Sequence, residues 1–195
     1  HGLLRLYNRP QWKYIPGGSR TYIDRMRETL PLPPRTEAPL QRIARNEHNS
    51  VTLFLADGSQ HEFDHAVIAT HADQALALLQ NPSPEETRCL APWRYQDNTV
   101  TLHTDPSQLP KNKQLWSAWN FVRSDGDSDA RPVAVTYHMN QLQRIPSETP
   151  YLVTLNQDGS IDPDKIINAT TLAHPLYDFD SLATQDGLAA MNGKD

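Results

Sequence analysis

A single cysteine, Cys89, stands among the 195 residues. That excludes an internal disulfide and a thiolate zinc cluster, and a lone buried thiol is the plain reading. No run approaches 18 consecutive apolar residues, so no membrane-spanning helix is encoded. Positive charge is in short supply: 18 Lys and Arg against 23 Asp and Glu leave a net charge of −5. No basic face is therefore offered to nucleic acid or anionic lipid. Glycine is sparse at 8 residues, proline is plentiful at 16, and 37% of the chain is hydrophobic, which describes a globular but loop-rich protein. The chain lacks a charged leader, an apolar leader core and a small-residue cleavage site, and it opens on His1. It reads as a piece of something longer, with a cytoplasmic location expected. Asn168-Ala169-Thr170 matches a glycosylation acceptor, which matters only in a secretory compartment.

What is present begins with HEFDHAVIATH, His61 to His71. The spacing His61-Glu62-x-x-His65 with a further His71 matches that of metzincin-type zinc peptidases. Two His at i and i+4 grip one zinc only on a helix, with the Glu activating the bound water. The sharp break before the third His needs a Gly where this chain has Ile68, a β-branched residue that resists the left-handed conformation. The flanks speak for strand: Asp57-Gly58 is a hairpin turn between VTLFL (Val51 to Leu55) and AVIAT (Ala66 to Thr70). In a strand His61 and His65 lie about 13 Å apart, too far to share an ion. The expectation is no metal site, with zinc peptidase only a distant third functional reading.

Elsewhere, Pro16-Gly17-Gly18-Ser19 turns into a helix whose Tyr22, Ile23, Met26 and Leu30 form one stripe, capped by Ser19 or Gly18 and ended by Pro31 to Pro34. A strand-like segment follows around Ala38 to Arg45. After AVIAT a helix is expected, with Thr70 as cap, Asp73 in a shortened capping box, and Ala72, Leu76 and Leu79 on its buried stripe. Ser83-Pro84-Glu85-Glu86 starts a second short helix, ending about Leu90. Four strands then read as NTVTLHT, KQLWSAWNFV, RPVAVTYHM and YLVTLN, in an antiparallel meander, with Arg123 to Arg131 as a mobile tip. DSLATQDGLAAMNG closes the chain as a helix weakened by Gly187. Clustered rather than alternating helices and strands indicate an α+β fold.

PGGSRTYIDRM, then Ala38-Pro39-Leu40, VTLFLADG and FDHAVIAT resemble the central portion of flavin-dependent amine-oxidase-type enzymes. ATHADQAL, WSAWN, VTYHMNQLQ and VTLN are similar to a subgroup of that superfamily described as predicted NAD/FAD-binding oxidoreductases. A similar domain is fused ahead of plant cyclopropane-fatty-acid synthases. The resemblance covers essentially the whole chain as an internal slice. Two parts of the family pattern are missing: the G-x-G-x-x-G unit that holds the pyrophosphate, and the closing Gly-rich flavin-contacting segment.

The resemblance implies an antiparallel or mixed substrate-domain sheet with flanking helices, plus a partial FAD-domain β-hairpin region. Residues 1–35 would enter the substrate domain, 36–81 belong to the FAD domain, 82–172 form the substrate sheet, and 173–195 return toward the FAD domain as a helix. Leu40 matches the position whose backbone meets the adenine end of FAD. Ala69, Thr70 and His71 match the strip beside the dinucleotide, where a helix N-terminus suits phosphate; for Thr70, simple capping stands as the alternative. For substrate contact the candidates are Trp116 and Trp119, read as pointing to opposite faces of one strand, Tyr137, and the amides Asn120 and Asn140. His103, His138 and His174 read as structural, Ser19 and Arg20 as a helix start, and no catalytic residue is assigned, because in such enzymes the flavin carries the chemistry.

The leading expectation is thus a substrate-domain fragment of an FAD-dependent oxidoreductase that oxidises C–N or C–C bonds of a small or lipid-like substrate, inactive in isolation. Its partners would be that substrate and the remainder of the FAD domain, with dimerisation through exposed edges when the chain is alone. The alternative is a non-catalytic ligand- or partner-binding module. A G-x-G-x-x-G segment encoded upstream separates the two.

Overall fold

The computed structural model describes residues 7, 11, 13–47, 49–121, 134–156 and 159–191. The tip expected at Arg123 to Arg131 lies outside them. The fold is α+β, in two units: residues 1–33 with 97–172, and residues 34–96 with 173–195. The segment 82–96, placed with the substrate sheet on sequence, clusters with the second unit.

In the first unit, α1 (Ser19–Thr29) starts where Gly17 and Gly18 take φ of 84° and 79°, a region closed to most side chains. No residue of α1 is buried, and its stripe of Tyr22, Ile23, Met26 and Leu30 lies in the open. The sheet has the strand order β5-β6-β7-β4-β8, with β4 Tyr95–His103, β5 Trp119–Phe121, β6 Val135–His138, β7 Leu152–Leu155 and β8 Ile166–Pro175. The meander β5-β6-β7 is antiparallel, and β4 pairs with β7 on its far side. The strand expected over Lys113 to Val122 is corrected: 113–115 is a 3₁₀ turn and only Trp119–Phe121 joins the ladder. Asn112 forces the turn by accepting from the Gln114 N–H at 3.0 Å. β8 was not anticipated at all; its Thr-, Ile- and Leu-rich text sits on the sheet edge, exposed along most of its length.

Two loops of this unit are clipped together by Asp105. Its carboxylate accepts from the Ser107 N–H (3.0 Å) and the Asp162 N–H (2.9 Å), with Lys165 Nζ 3.6 Å away. Gln108 adds a second clip, donating to the Ser160 carbonyl at 2.9 Å.

In the second unit, β1 (Leu40–Arg45), β2 (Val51–Leu55) and β3 (Gln60–Phe63) form an antiparallel sheet in sequence order. The turn at Asp57-Gly58 is made as its text says: Asp57 accepts from the Ser59 N–H at 2.8 Å and Gly58 sits at φ 82°. His61 and Glu62 are strand residues opposite Leu53 and Thr52, so the helix that a zinc grip requires is absent. Two expectations nearby are corrected. The run Ala66 to Thr70 is irregular, not strand, because the described residues offer it no ladder neighbour; Val67 is 93% exposed. Thr70 does not cap α2 (Ala72–Leu78): its hydroxyl bonds the His71 carbonyl, and His71 is the cap residue. Gln74, rather than Asp73, reaches back to the His71 N–H at 3.3 Å.

α3 (Pro84–Leu90) is capped as its sequence dictates. Ser83 Oγ accepts from Glu86 N at 3.1 Å and the Glu86 carboxylate accepts from Ser83 N at 2.7 Å. Glu86 also pairs with Arg45 and so ties the helix to β1. The single closing helix resolves into α5 (Phe179–Leu182) and α6 (Gln185–Met191). Buried Thr184 sits at the break, accepting from Trp93 Nε1 at 2.9 Å and donating to the Ser181 carbonyl at 2.8 Å. Gly187 is a packing requirement: a Cβ there would lie 2.8 Å from the sulfur of fully buried Cys89.

Two measurements test these contacts. Gly187→Ala, which in an open helix would stabilise by up to about 1 kcal/mol, is expected to destabilise by about 1–3 kcal/mol in urea melts. Burial opposes ionisation of Asp105, yet the N–H groups of Asp162 and Ser107, with Lys165, hold its pKa down at about 2 against an ordinary 3.8. Because the folded value is depressed, its stabilisation is complete above 3.8 and disappears as pH falls toward about 2. Asp105→Asn should cost about 2 kcal/mol at neutral pH and flatten that acid limb of the stability profile.

Candidate functional site

Strand alternation gives the sheet of the first unit two unlike faces. Across it, Asn120, Thr136, Thr154 and Thr101 stand opposite one another in register, and all four are buried. His138, Leu152 and His103 form the next row on that same face, and they too are buried. The intervening residues are apolar: Trp119, Tyr137, Val153 and Leu102 in one row, Phe121, Val135, Leu155 and Val100 in the next. These are only half-buried or exposed, Trp119 at 59% and Phe121 at 62%. The usual pattern is reversed: the most deeply buried rows are largely polar, and the apolar rows are less buried, most open at Trp119 and Phe121.

The hidden side is stable because its polar atoms find one another. His103 Nε2 lies 2.7 Å from Thr154 Oγ1, and Thr154 Oγ1 lies 2.9 Å from Thr136 Oγ1. Burial lowers the pKa of His103, opposed by the nearby Asp105 carboxylate, and burial alone lowers that of His138. Both rings therefore favour the neutral form. Among the described residues His138 Nδ1 is buried with no hydrogen-bond partner, and the His138 ring meets Trp116 edge-on at 5.4 Å.

The substrate candidates divide. Trp119 and Tyr137 come together as register partners on the apolar face, rings T-shaped at 6.3 Å. Trp116 does not join them. It follows the 113–115 turn rather than standing in a strand, donates its indole N–H to the Pro110 carbonyl at 2.8 Å, and packs on His138 of the hidden face. Asn120 binds its own loop, accepting from Ser117 N (3.1 Å) and donating to the carbonyls of Ser117 (2.7 Å) and Thr136 (3.3 Å). Asn140 does the same one loop on, donating to Ser147 and Thr149 carbonyls at 3.0 and 2.9 Å and accepting from Tyr151 N at 2.7 Å. Both amides shape loops beside the sheet. The apolar row through Val100, Leu102, Val153 and Leu155 was missed on sequence; the alternation was readable, but which side is covered was not.

In the second unit, Leu40 is half-buried at the start of β1, beside a ladder irregularity before Arg42. Ala69 and Thr70 are exposed, and His71 stacks on Tyr95 at 4.3 Å. The amino end of α2 is already occupied: the Ala72 N–H donates to Tyr95 Oη at 2.8 Å and the Gln74 N–H to Asp73 at 2.8 Å. A pyrophosphate seated there would have to displace Tyr95. These residues alone do not fit a dinucleotide cradle. Of the zinc look-alike, His61 Nε2 takes a bond from Arg35 (2.9 Å) and Glu62 one from Ser50. Among the described residues no group of His, Cys, Asp or Glu is placed to hold a metal ion.

Residues 3–170 match the family Flavin containing amine oxidoreductase. No curated protein matches the sequence. Among solved structures, the CLA-producing fatty acid isomerase from P. acnes is similar in fold, with a TM-score of 0.61 at 16% identity. The likeness covers 91% of this chain but only 45% of that protein's chain.

Replacing Asn120 by Ala should orphan the buried Thr136 carbonyl, release its two bonds to the Ser117 backbone, and cost about 1–3 kcal/mol. The near-ultraviolet circular dichroism from the Trp119–Tyr137 pair should weaken in step. An unchanged aromatic signal with full stability would show that the amide does not set this edge.

Proposed function

Since the chain belongs to the flavin containing amine oxidoreductase family, we propose that it supplies the substrate-facing sheet of an FAD-dependent oxidoreductase. Such an enzyme would oxidise C–N or C–C bonds of a small or lipid-like substrate. The observation that carries this reading is the reversed sheet. Val100, Leu102, Trp119, Phe121, Val135, Tyr137, Val153 and Leu155 stand together on one face, half-buried for the most part and open at Trp119 and Phe121. Apolar surface of that extent calls for a ligand or a partner. The flavin supplies the redox chemistry when bound, and the protein's part is to orient the substrate and exclude water. Trp119 and Tyr137 form the substrate wall; Trp116, Asn120 and Asn140 set the loops around it. Leu40, Ala69, Thr70 and His71 line one side of the cofactor site, whose pyrophosphate-holding part lies elsewhere in the parent enzyme.

No residue of α1 is buried, and its stripe of Tyr22, Ile23, Met26 and Leu30 is open, which supports a remaining portion of the FAD domain that covers it. Left alone, such surface seeks other partners, so light scattering of the isolated chain should show self-association rather than monomer only.

The purified chain is expected to be colourless near 450 nm; a stoichiometric flavin band would overturn the cofactor half of the proposal. The wall is tested with oleate and benzylamine as probes. Oleate should shift tryptophan emission, Tyr137→Ser should weaken its binding by about tenfold, and Trp119→Phe should remove most of the response. Equal responses to both probes, or none, would sink the apolar wall.

A further inference from the structure

His103 is fully buried, yet its bonding fixes its protonation state without reference to any ligand. Its Nδ1 lies 3.1 Å from the backbone N–H of Asp105. A backbone N–H only donates, so Nδ1 must be the bare nitrogen and Nε2 must carry the hydrogen. Nε2–H then donates to Thr154 Oγ1, which also shares a hydrogen bond with Thr136 Oγ1. The line of bonds joins β4, β7 and β6. Protonation of Nδ1 would set two N–H groups head to head at the Asp105 contact.

That contact is the root of the double loop clip. Asp105 is the residue whose carboxylate holds Ser107 and Asp162, and the Thr104 N–H donates to the Lys165 carbonyl at 3.0 Å beside it. We propose that His103 is an acid-operated latch: neutral, it holds residues 104–109 against 159–165, and once protonated it releases both segments while the strands stay paired.

The groups around the ring set the latch's direction. Asp105 favours the charged ring, and Lys165 Nζ lies 3.6 Å from the Asp105 carboxylate and 3.4 Å from that of Asp162, so their charges partly offset one another. β7 presents only Leu152 and Thr154, and β6 presents Thr136 and, beyond Leu152 in the same row, His138. The β7 and β6 neighbours offer no countercharge for an imidazolium; Asp105 is the nearby anion, and its carboxylate is already bonded to two N–H groups and to Lys165. Burial accordingly lowers the pKa of His103, with Asp105 acting against it. A lowered folded value means that the latch is fully closed above the ordinary value of about 6.5 and opens as pH falls below it. This is separate from the Asp105 carboxyl, which titrates at about 2.

The test is amide hydrogen exchange of the whole chain between about pH 7.5 and about pH 5, expressed as protection factors so that intrinsic rates cancel. Expected is a loss of about tenfold, equivalent to one buried hydrogen bond, at Asp105, Ser107 and Asp162, with Thr136 and Val153 unchanged. His103→Asn places an amide oxygen where Nδ1 stands; it should keep the segments protected at both pH values. Should that variant not fold, ¹⁵N spectra of the wild-type ring decide. An Nε2–H tautomer whose titration coincides with the loss of protection supports the latch. An Nδ1–H tautomer, a ring that titrates with no change in protection, or acid loss that persists in folded His103→Asn overturns it.

Discussion

The hydroxyl of Thr154 is the point on which the first unit turns. Placed between His103 and Thr136, it lets a sheet bury its polar side, because each buried donor in that line meets an acceptor. Without it, two buried groups would be left unpaired on a face that has little apolar surface to compensate. The ordering of the sheet follows: β7, which carries Thr154, must lie between β6 and β4 for the line to close. The apolar side is then free to face outward, and the reading of this chain as the wall of a cavity begins there.

The second unit is organised differently, through local contacts. Asp57 makes its own turn, Ser83 and Glu86 cap each other, and Tyr95 closes the amino end of α2 while stacking on His71. Such interactions span few residues or join neighbouring elements, and they require no large core. Among the described residues, few of its apolar side chains are buried: Ile43, Leu55, Ala75 and Cys89. A region built this way supplies shape more than grip.

What the sequence revealed follows the range of the forces concerned. The strand Val51–Leu55, the turn at Gly58 and the α3 cap at Ser83 were legible because each is decided within a few residues. AVIAT was misread because a β-branched run becomes strand only beside another strand, and none of the described residues supplies one. Trp116 and Trp119 read as one strand because the Asn112 side chain that turns the chain just ahead of Trp116 carries no periodic signal. The pairing of Trp119 with Tyr137 was recoverable from alternation, whereas the positions of the Asn120 and Asn140 amides depend on loops meeting in space. The family resemblance arose from short strings that preserve local geometry, which is why it outlasted the errors in individual elements.

The close approach of α6 to α3 has a practical side. The only sulfhydryl in the chain is sealed beneath a residue that has no side chain, so an alkylating reagent can reach it only when those two helices part. Its modification rate is therefore a native clock for breathing of the second unit, readable by mass spectrometry with no label introduced and blind to events in the five-stranded sheet.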